Sequence, residues 1–425
     1  MESFSLLLAA QPLCSLPPDK LAKAIALSHW TTGLYFGGTA WLLLALWLLI
    51  RAGAPIARFA ARFSSRSWLQ GLVASPLWLL ILSLLDLPAA LLGHHIGLAF
   101  GLSVESWPAW FADWSKSTLI FILVGTLVLS VLYALLRHAP RRWWLWLWII
   151  TIPVEVFAVF IAPLVIDPLF NHFQSLAQTD PALVDQLERV AARGGLHIPP
   201  GRIFLMDASR KVTGPNAYVT GLGASKRIVV WDTTLREETP DEILFTYGHE
   251  QGHYVLHHVA KGIAFSVPVI LFFYWLAARL LRRLMRAHGP RWHIDSPASW
   301  SSLVLILFLY VLLSFLSEPI ANAMSRHIEH QADVYGQEVI HGLVPDPQAA
   351  AVQSFCADAQ LWLDNPHPNP FVEFWTYTHP STEQRAEFAA HYDPWLPGQH
   401  PKYFSKQDES PRVTGPPPPL RSPRD

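Results

Sequence analysis

Apolar residues in this chain gather into six long runs, near residues 34–50, 70–92, 117–136, 143–166, 262–281 and 299–320. An α-helix needs about 18 to 20 such residues to cross a hydrocarbon core, so the pattern predicts six transmembrane helices. The run Ser3 to Ala10 is too short to span. It also lacks the basic flank of a secretory signal, although Leu6 to Ala10 is apolar enough for a remnant signal or the end of a first helix.

Polar positions mark out residues 167–260 as the one sizeable insertion before the fifth run, and it reads as folded. Leu183, Val184, Leu187, Val190 and Ala191 have helical spacing, and Gly194-Gly195 stops that helix. Residues 202–206, 216–220 and 227–231 read as short strands, the last two joined through Gly221 and Gly223. Thr239, Pro240 and Glu242 form a capping-box pattern that predicts a helix from there to about His258. A further helix is expected to leave the sixth span and run to about His341. From about residue 396, Pro416 to Pro419 and mixed charge predict a disordered tail. The expected units are residues 1–166, with four spans; 167–395, with two spans and the folded insertion; and the tail, 396–425.

Lys and Arg accumulate on the cytoplasmic side of a membrane. Arg51, Arg58, Arg62 and Arg66 follow the first span, Arg137, Arg141 and Arg142 the third, and Arg279, Arg282, Arg283, Arg286 and Arg291 lie around the fifth loop. The alternate loops lack such clusters. This bias places both termini and residues 167–260 outside the cytoplasm, the periplasm if the chain is bacterial.

Composition agrees with a membrane protein. Of 425 residues, 52% are hydrophobic and 15% charged, against about a quarter charged in soluble domains. Mean hydropathy is +0.27. A formal charge of −1 excludes a basic nucleic-acid-binding protein, and the apolar excess excludes a disordered chain. Cys14 and Cys356 are too few for a disulfide framework and lack the spacing of a zinc-thiolate site, so a metal here would use His and carboxylate ligands. They leave the redox compartment open.

His249-Glu250-Gln251-Gly252-His253 is such a ligand pattern, H-E-x-x-H, inside the helix opened by the capping box. Residues four apart lie one helical turn above each other, so both imidazoles can face one zinc ion while Glu250 projects beside them as a general base. Roughly 0.03 chance matches are expected from the chain's His and Glu content. A catalytic zinc takes three protein ligands, and Glu329 on the second helix is the candidate third. Asp333, one turn on, is placed either to accept the free imidazole N–H of a ligand histidine or to pair with Arg326. His257 and His258 are not assigned to the metal. Asp86 and Glu155 interrupt apolar spans and call for a wet cavity or a partner on a neighbouring helix.

At this point the chain resembles the zinc-dependent type I CAAX prenyl proteases, integral membrane gluzincin peptidases. The resemblance is carried in order by Gly101-Leu102-Ser103 with Trp110 to Lys116, Pro163-Leu164, Pro168-Leu169-Phe170-Asn171, Asn216-Ala217-Tyr218 with Gly221, and Lys226-Arg227-Ile228-Val229-Val230 with Asp232-Thr233. It continues through the H-E-x-x-H motif, Ser325-Arg326, Glu329, Ala332-Asp333, His379-Pro380-Ser381 and Arg385.

It implies a mainly α fold, a polytopic bundle of about six helices around a water-filled chamber, with a zincin-like catalytic domain containing a small β-sheet. It implies one zinc ion per chain on His249, His253 and Glu329, with Glu250 as base. Asn216 would contact substrate backbone, and His379 and Arg385 would lie at the site, where a donor stabilises the oxyanion. Expected partners are a peptide or protein substrate and the lipid bilayer, with no nucleic acid. Two departures stand out: six spans where the family has seven, and a charge bias that turns the site outward, away from cytosolic prenylated substrates. The alternatives are a broad membrane quality-control protease of the heat-shock type and a non-enzymatic transporter or scaffold with a structural zinc site.

Overall fold

A computed structural model describes residues 12–220 and 227–404 of the chain. The run Ser3 to Ala10, the turn at Gly221 and Gly223 with Lys226, and the Pro416 to Pro419 tail lie outside the described residues. The elements, in order, are α1 (Pro18–Leu49), α2 (Gly53–Ala61), α3 (Ser67–Ala99), α4 (Trp107–His138), α5 (Trp143–Phe160) and α6 (Ala162–Val165). Then come β1 (Phe173–Ser175), α7 (Pro181–Arg193), β2 (Ile203–Met206), β3 (Ala217–Thr220), β4 (Arg227–Trp231), α8 (Asp232–Glu237) and α9 (Pro240–Val255). The chain ends in α10 (His258–Trp292), α11 (Leu303–Val339), α12 (Pro347–Leu361), α13 (Pro370–Thr376) and α14 (Thr382–His391).

Six long apolar helices are present among the described residues: α1 continued by α2, α3, α4, α5 continued by α6, α10 and α11. Each contains or overlaps one of the apolar runs, and most extend well beyond it. A backbone already hydrogen-bonded as helix gains nothing by stopping where the lipid ends. Thus α11 carries its apolar half straight into the polar Ser325 to Val339 turns, and α1 begins at Pro18, among polar residues ahead of the first run. One boundary differs from expectation. The capping-box helix α9 ends at Val255, because His257 adopts a left-handed conformation (φ 56°) that breaks it, and α10 starts at His258.

The loops sort into two layers. On one, Ser67 joins Arg137 and Trp300: Arg137 Nη1 donates to the Ser67 hydroxyl at 2.7 Å and Trp300 Nε1 to the Ser67 carbonyl at 2.8 Å. Tyr133 stacks on Trp300 with centroids 3.9 Å apart. These are the arginine-rich loops. On the other, the α3–α4 loop meets the polar insertion, where Val104 N donates to Lys211 O and Lys211 Nζ to Asp113 Oδ2 at 2.5 Å.

Cys14 and Cys356 are joined in a disulfide between the start of the described chain and α12, on this same layer. The backbone N–H groups of Leu13 and Cys14 also donate to Glu383 on α14. Six spans separate the two cysteines, the even number needed to bring them to one face.

The sheet order is β1-β2-β4-β3, with β2 and β4 parallel and the outer pairs antiparallel. β1 was not expected from the sequence, being too short to show alternation. Because β3 is at the end of the sheet, one of its sides is unpaired by the other described strands. α7 is capped by Asp180, whose side chain accepts from Leu183 N, and it ends at the expected Gly194-Gly195, where Gly195 has a φ of 72° that suits glycine. The faces of α7, α9, α12 and the sheet share one apolar core, and the membrane helices have their own. A cavity of about 830 Å³ lies among α3, α4, α5, α10 and α11. Within this membrane part, Glu155 accepts a hydrogen bond from the Ser266 hydroxyl on α10 at 2.5 Å, so it has a partner on a neighbouring helix.

Candidate metal centre and active site

Two helices build the site, and glycines set their distance. Gly248 and Gly252 on α9 face Gly336 and Tyr335 on α11. A Cβ at Gly336 would stand 2.8 Å from the His249 backbone nitrogen, and one at Gly248 would stand 2.7 Å from Val339 Cγ1. The backbones therefore touch where His249 must meet Glu329, which lies two turns before Gly336 on the same face of α11. The capping box is formed on both sides, with Thr239 N donating to Glu242 and Glu242 N to Thr239.

Three donor atoms converge between the helices. His249 Nε2 lies 3.1 Å from His253 Nε2 and 3.1 Å from Glu329 Oε2, and His253 Nε2 lies 3.5 Å from that oxygen. Atoms bound tetrahedrally to one zinc ion stand about 3.3 Å apart. Glu329 Oε2 is buried and has no hydrogen-bond partner, although imidazole nitrogens surround it. Lone pairs facing one another at this spacing fit a shared cation, and the imidazole and carboxylate donors suit zinc. Glu250 projects beside them, its Oε1 4.0 Å from His249 Nε2.

Each imidazole is oriented from behind. His249 Nδ1 donates to Asp333 Oδ1 at 2.8 Å, and Arg385 clamps the same carboxylate through Nε to Oδ2 at 3.0 Å and Nη2 to Oδ1 at 2.6 Å. Asp333 is thus paired with His249 and Arg385. Arg326 instead donates to the carbonyls of Glu373 and Tyr377.

His253 is supported by a residue whose role the sequence leaves undefined. Its Nδ1 lies 3.3 Å from His258 Nδ1, while His258 Nε2 meets Gln331 Oε1 at 3.2 Å and Gln331 Nε2 meets His327 Nε2 at 2.8 Å. The Gln331 oxygen can only accept, so His258 carries its proton on Nε2 and accepts at Nδ1 from His253. That arrangement leaves His253 Nε2 free to bind a metal. The only signal in the sequence was a histidine just past the motif, and the break at His257 that swings it back was not legible.

A cleft of about 460 Å³ opens over these groups, lined by Asn216, His249, Glu250, His379 and Arg385 among others. Asn216 is exposed at the entrance to β3, its backbone held by Thr234. His379, on the turn between α13 and α14, is half-exposed and places Nε2 3.1 Å from Glu329 Oε2. The structure therefore brings all the predicted site residues to one place. It adds three acids to the cleft wall, Glu238, Asp358 and Asp364. Burial pushes Glu238 up to about 8, Asp358 to about 7 and Asp364 to about 6, with neighbouring carboxylates adding to the first two shifts and Arg385 opposing the last two. His249 responds oppositely: burial opposes its charge, but Asp333 and Glu329 hold its proton and raise it to about 10.

The model of peptidase family M48 matches residues 177–393, half of the chain and the whole of this site.

The chain belongs to peptidase family M48.

A second family model, described as the CAAX prenyl protease N-terminal region with five membrane helices, matches residues 21–172, where four long apolar helices lie. The M48 chain is 33% identical to the uncharacterized metalloprotease YhfN of Bacillus subtilis (strain 168), over 89% of this chain and 88% of that protein. It is 27% identical to CAAX prenyl protease 1 of Saccharomyces cerevisiae, over 71% of this chain and 68% of that one. The crystal structure of Ste24p from S. mikatae superposes with a TM-score of 0.75, covering 89% of this chain and 90% of that one at 21% identity, which shows a common fold. The resemblance drawn from the motifs is borne out. This M48 protein is a multi-pass integral membrane metalloendopeptidase that acts on peptide or protein substrates.

Proposed function

We propose that His249, His253 and Glu329 hold one zinc ion per chain and that Glu250 is the general base of peptide-bond hydrolysis. The observation that carries this reading is the convergence of His249 Nε2, His253 Nε2 and Glu329 Oε2 within 3.1 to 3.5 Å. Zinc held there would polarise the scissile carbonyl and acidify a water molecule. Glu250 takes that water's proton and passes it to the leaving amine. Asp333 and His258 keep the two ligand imidazoles in register, and Arg385 fixes Asp333. His379 donates to the oxyanion as it develops. Substrate lies extended along the unpaired side of β3 with Asn216 contacting its backbone, which tolerates many sequences. That free edge also favours a second reading, broad quality control of membrane proteins, in which many unfolded substrates are cut instead of a few defined ones. A scaffold with a structural zinc is disfavoured, because a closed fourth protein ligand would be expected there. No nucleic-acid partner enters this function.

The working units are residues 1–166, 167–395 and the tail 396–425, whose first part is packed, not disordered as expected, since the backbone N–H groups of Lys402, Tyr403 and Phe404 donate to Glu338 and Phe404 is buried. The location is a bacterial inner membrane with the site on the periplasmic side. Two independent features support the outward site: the arginine-rich loops on the opposite layer, and the Cys14–Cys356 disulfide, a bond that persists in oxidising compartments. Prenylated cytosolic substrates, which the yeast relative's name implies for that protein, do not follow for this one. The deciding experiment is Glu250→Gln. The purified variant should keep about one zinc per chain and lose proteolysis by at least a thousandfold; full activity would exclude Glu250 as the base.

A further inference from the structure

We propose that Glu238, Asp358 and Asp364 form a subsite for a cationic side chain, lysine or arginine, beside the scissile bond of the substrate. The proposal deepens the peptidase reading and rests on it. All three carboxylates line the cleft that contains Glu250 and Asn216. They arrive from the end of α8, the last turn of α12 and the turn after it. Glu238 is only 8% exposed, yet its Oε2 has no hydrogen-bond partner. A buried carboxylate oxygen left without a donor is costly, and a donor brought by a ligand removes that cost.

Among the described residues none of the three acids has an ion-pair partner. The arginine in the same cleft, Arg385, is committed to Asp333 through two hydrogen bonds. Burial holds these carboxyls partly protonated while the recess is empty, and an entering cation would pair with them as they give up their protons. A divalent ion does not fit it, because the cluster of possible ligand atoms close enough to share one, among the described residues, is His249, Glu250 and His253. A longer cation with several donors does fit. Phe245 and Trp362 supply apolar wall for its alkyl stem and a ring face for its charge. Trp362 is fixed there by donating Nε1 to Pro215 O, next to Asn216. A strand added along β3 sends alternate side chains to one face, so a substrate held by Asn216 would deliver one of them into this recess.

The test uses the purified full-length enzyme and quenched peptides with acetylated N-termini and amidated C-termini. They differ only at the residues flanking the cut, which are Lys, Arg, Gln or Glu. At one flanking position Lys and Arg should give kcat/KM at least tenfold above Gln, with Glu lowest. Glu238→Gln and Asp358→Asn should each shrink the Lys-to-Gln ratio severalfold, and Asp358→Lys should turn the preference toward Glu. If Glu238→Gln does not fold, Asp364→Asn on the turn after α12 carries the same test. Binding of the same peptides to Glu250→Gln protein separates the subsite from the chemistry. Tighter binding of the Lys peptide supports the recess even where turnover fails. Equal binding of Lys, Gln and Glu peptides overturns it, whatever the turnover. Failure of the wild type to cut any peptide strikes at the peptidase reading alone. Matched peptides with a free α-amine in place of the acetyl group serve as control, and a preference seen only with them overturns the side-chain assignment and gives the recess to the chain terminus.

Discussion

Asp333 and His249 are joined by a 2.8 Å hydrogen bond from the imidazole Nδ1 to the carboxylate, reaching from α11 to α9 across the seam on which the metal centre depends. The bond fixes the ring so that Nε2 faces Glu329. Asp333→Ala should lower zinc affinity about 10- to 100-fold, measured by competition with a chelator, and should also lower the melting temperature, because it leaves the buried Arg385 without its partner. Glu329→Ala removes a donor outright, and the purified variant should contain no stoichiometric zinc. Unchanged zinc content would remove Glu329 from the ligand set.

His258 makes the same kind of prediction for His253. His258→Phe keeps the ring's bulk but deletes the acceptor, so His253 loses the contact that fixes its tautomer. Zinc affinity should fall by about tenfold or more, and His258→Asn, which can restore an acceptor, should recover part of it. Equal affinity in all three proteins would show that the contact has no bearing on the metal.

Protonation of His249 gives the site a defined pH dependence. In the metal-free protein its pKa is raised to about 10, and a metal ligand must be deprotonated. Between about pH 7 and 9 zinc binding should therefore release close to one proton, and log K should rise by about one per pH unit. Calorimetry in buffers of different ionisation enthalpy measures this directly. The sign for stability is the reverse. The folded pKa exceeds the unfolded value of about 6.5, so the stabilisation is complete below pH 6.5 and is lost as pH rises through 10. Metal-free protein should melt at a lower temperature at pH 10 than at pH 6, other titrations being common to variants such as His249→Gln used as reference.

Gly336 offers a purely geometric test. An alanine Cβ there would sit 2.8 Å from a backbone nitrogen of α9, which cannot move aside as a side-chain tip can. Gly336→Ala should cost about 1–3 kcal/mol and should weaken zinc binding as well, since separating α9 from α11 separates His249 from Glu329. A lowered melting temperature with unchanged zinc affinity would show that the site tolerates a wider seam.

Sidedness can be read from Cys14 and Cys356. In intact cells neither thiol should react with maleimide until a reductant is added, because the two are bonded to each other. Reaction of both without reductant would place them in a reducing compartment and overturn the outward orientation.

The chemistry was legible because it is written locally. H-E-x-x-H and its capping box occupy one helix, and four-residue spacing is a helical property that needs no tertiary information. Glu329 was found because a third zinc ligand must exist and an acidic residue stood on the helix that leaves the sixth span. What escaped depends on contacts between distant segments. β1 has three residues, too few to show alternation, and is a strand only because β2 pairs with it. The helices α12 to α14 bury small and mixed residues such as Ala351, Ser354 and Ala386, which leave no apolar stripe for the eye. His258 matters only because the chain reverses at His257. The disulfide joins residues 342 positions apart, and nothing in two lone cysteines announces that distance.

That disulfide also makes the membrane part of this protein topologically closed. All six spans lie between Cys14 and Cys356, so a single cut in any loop between them opens the ring without releasing either piece. Damage of that kind would be invisible on a gel until reductant is added. An unfoldase pulling on either end would have to draw two strands abreast through its pore, and extraction of this enzyme from the bilayer therefore becomes a redox event before it is a mechanical one.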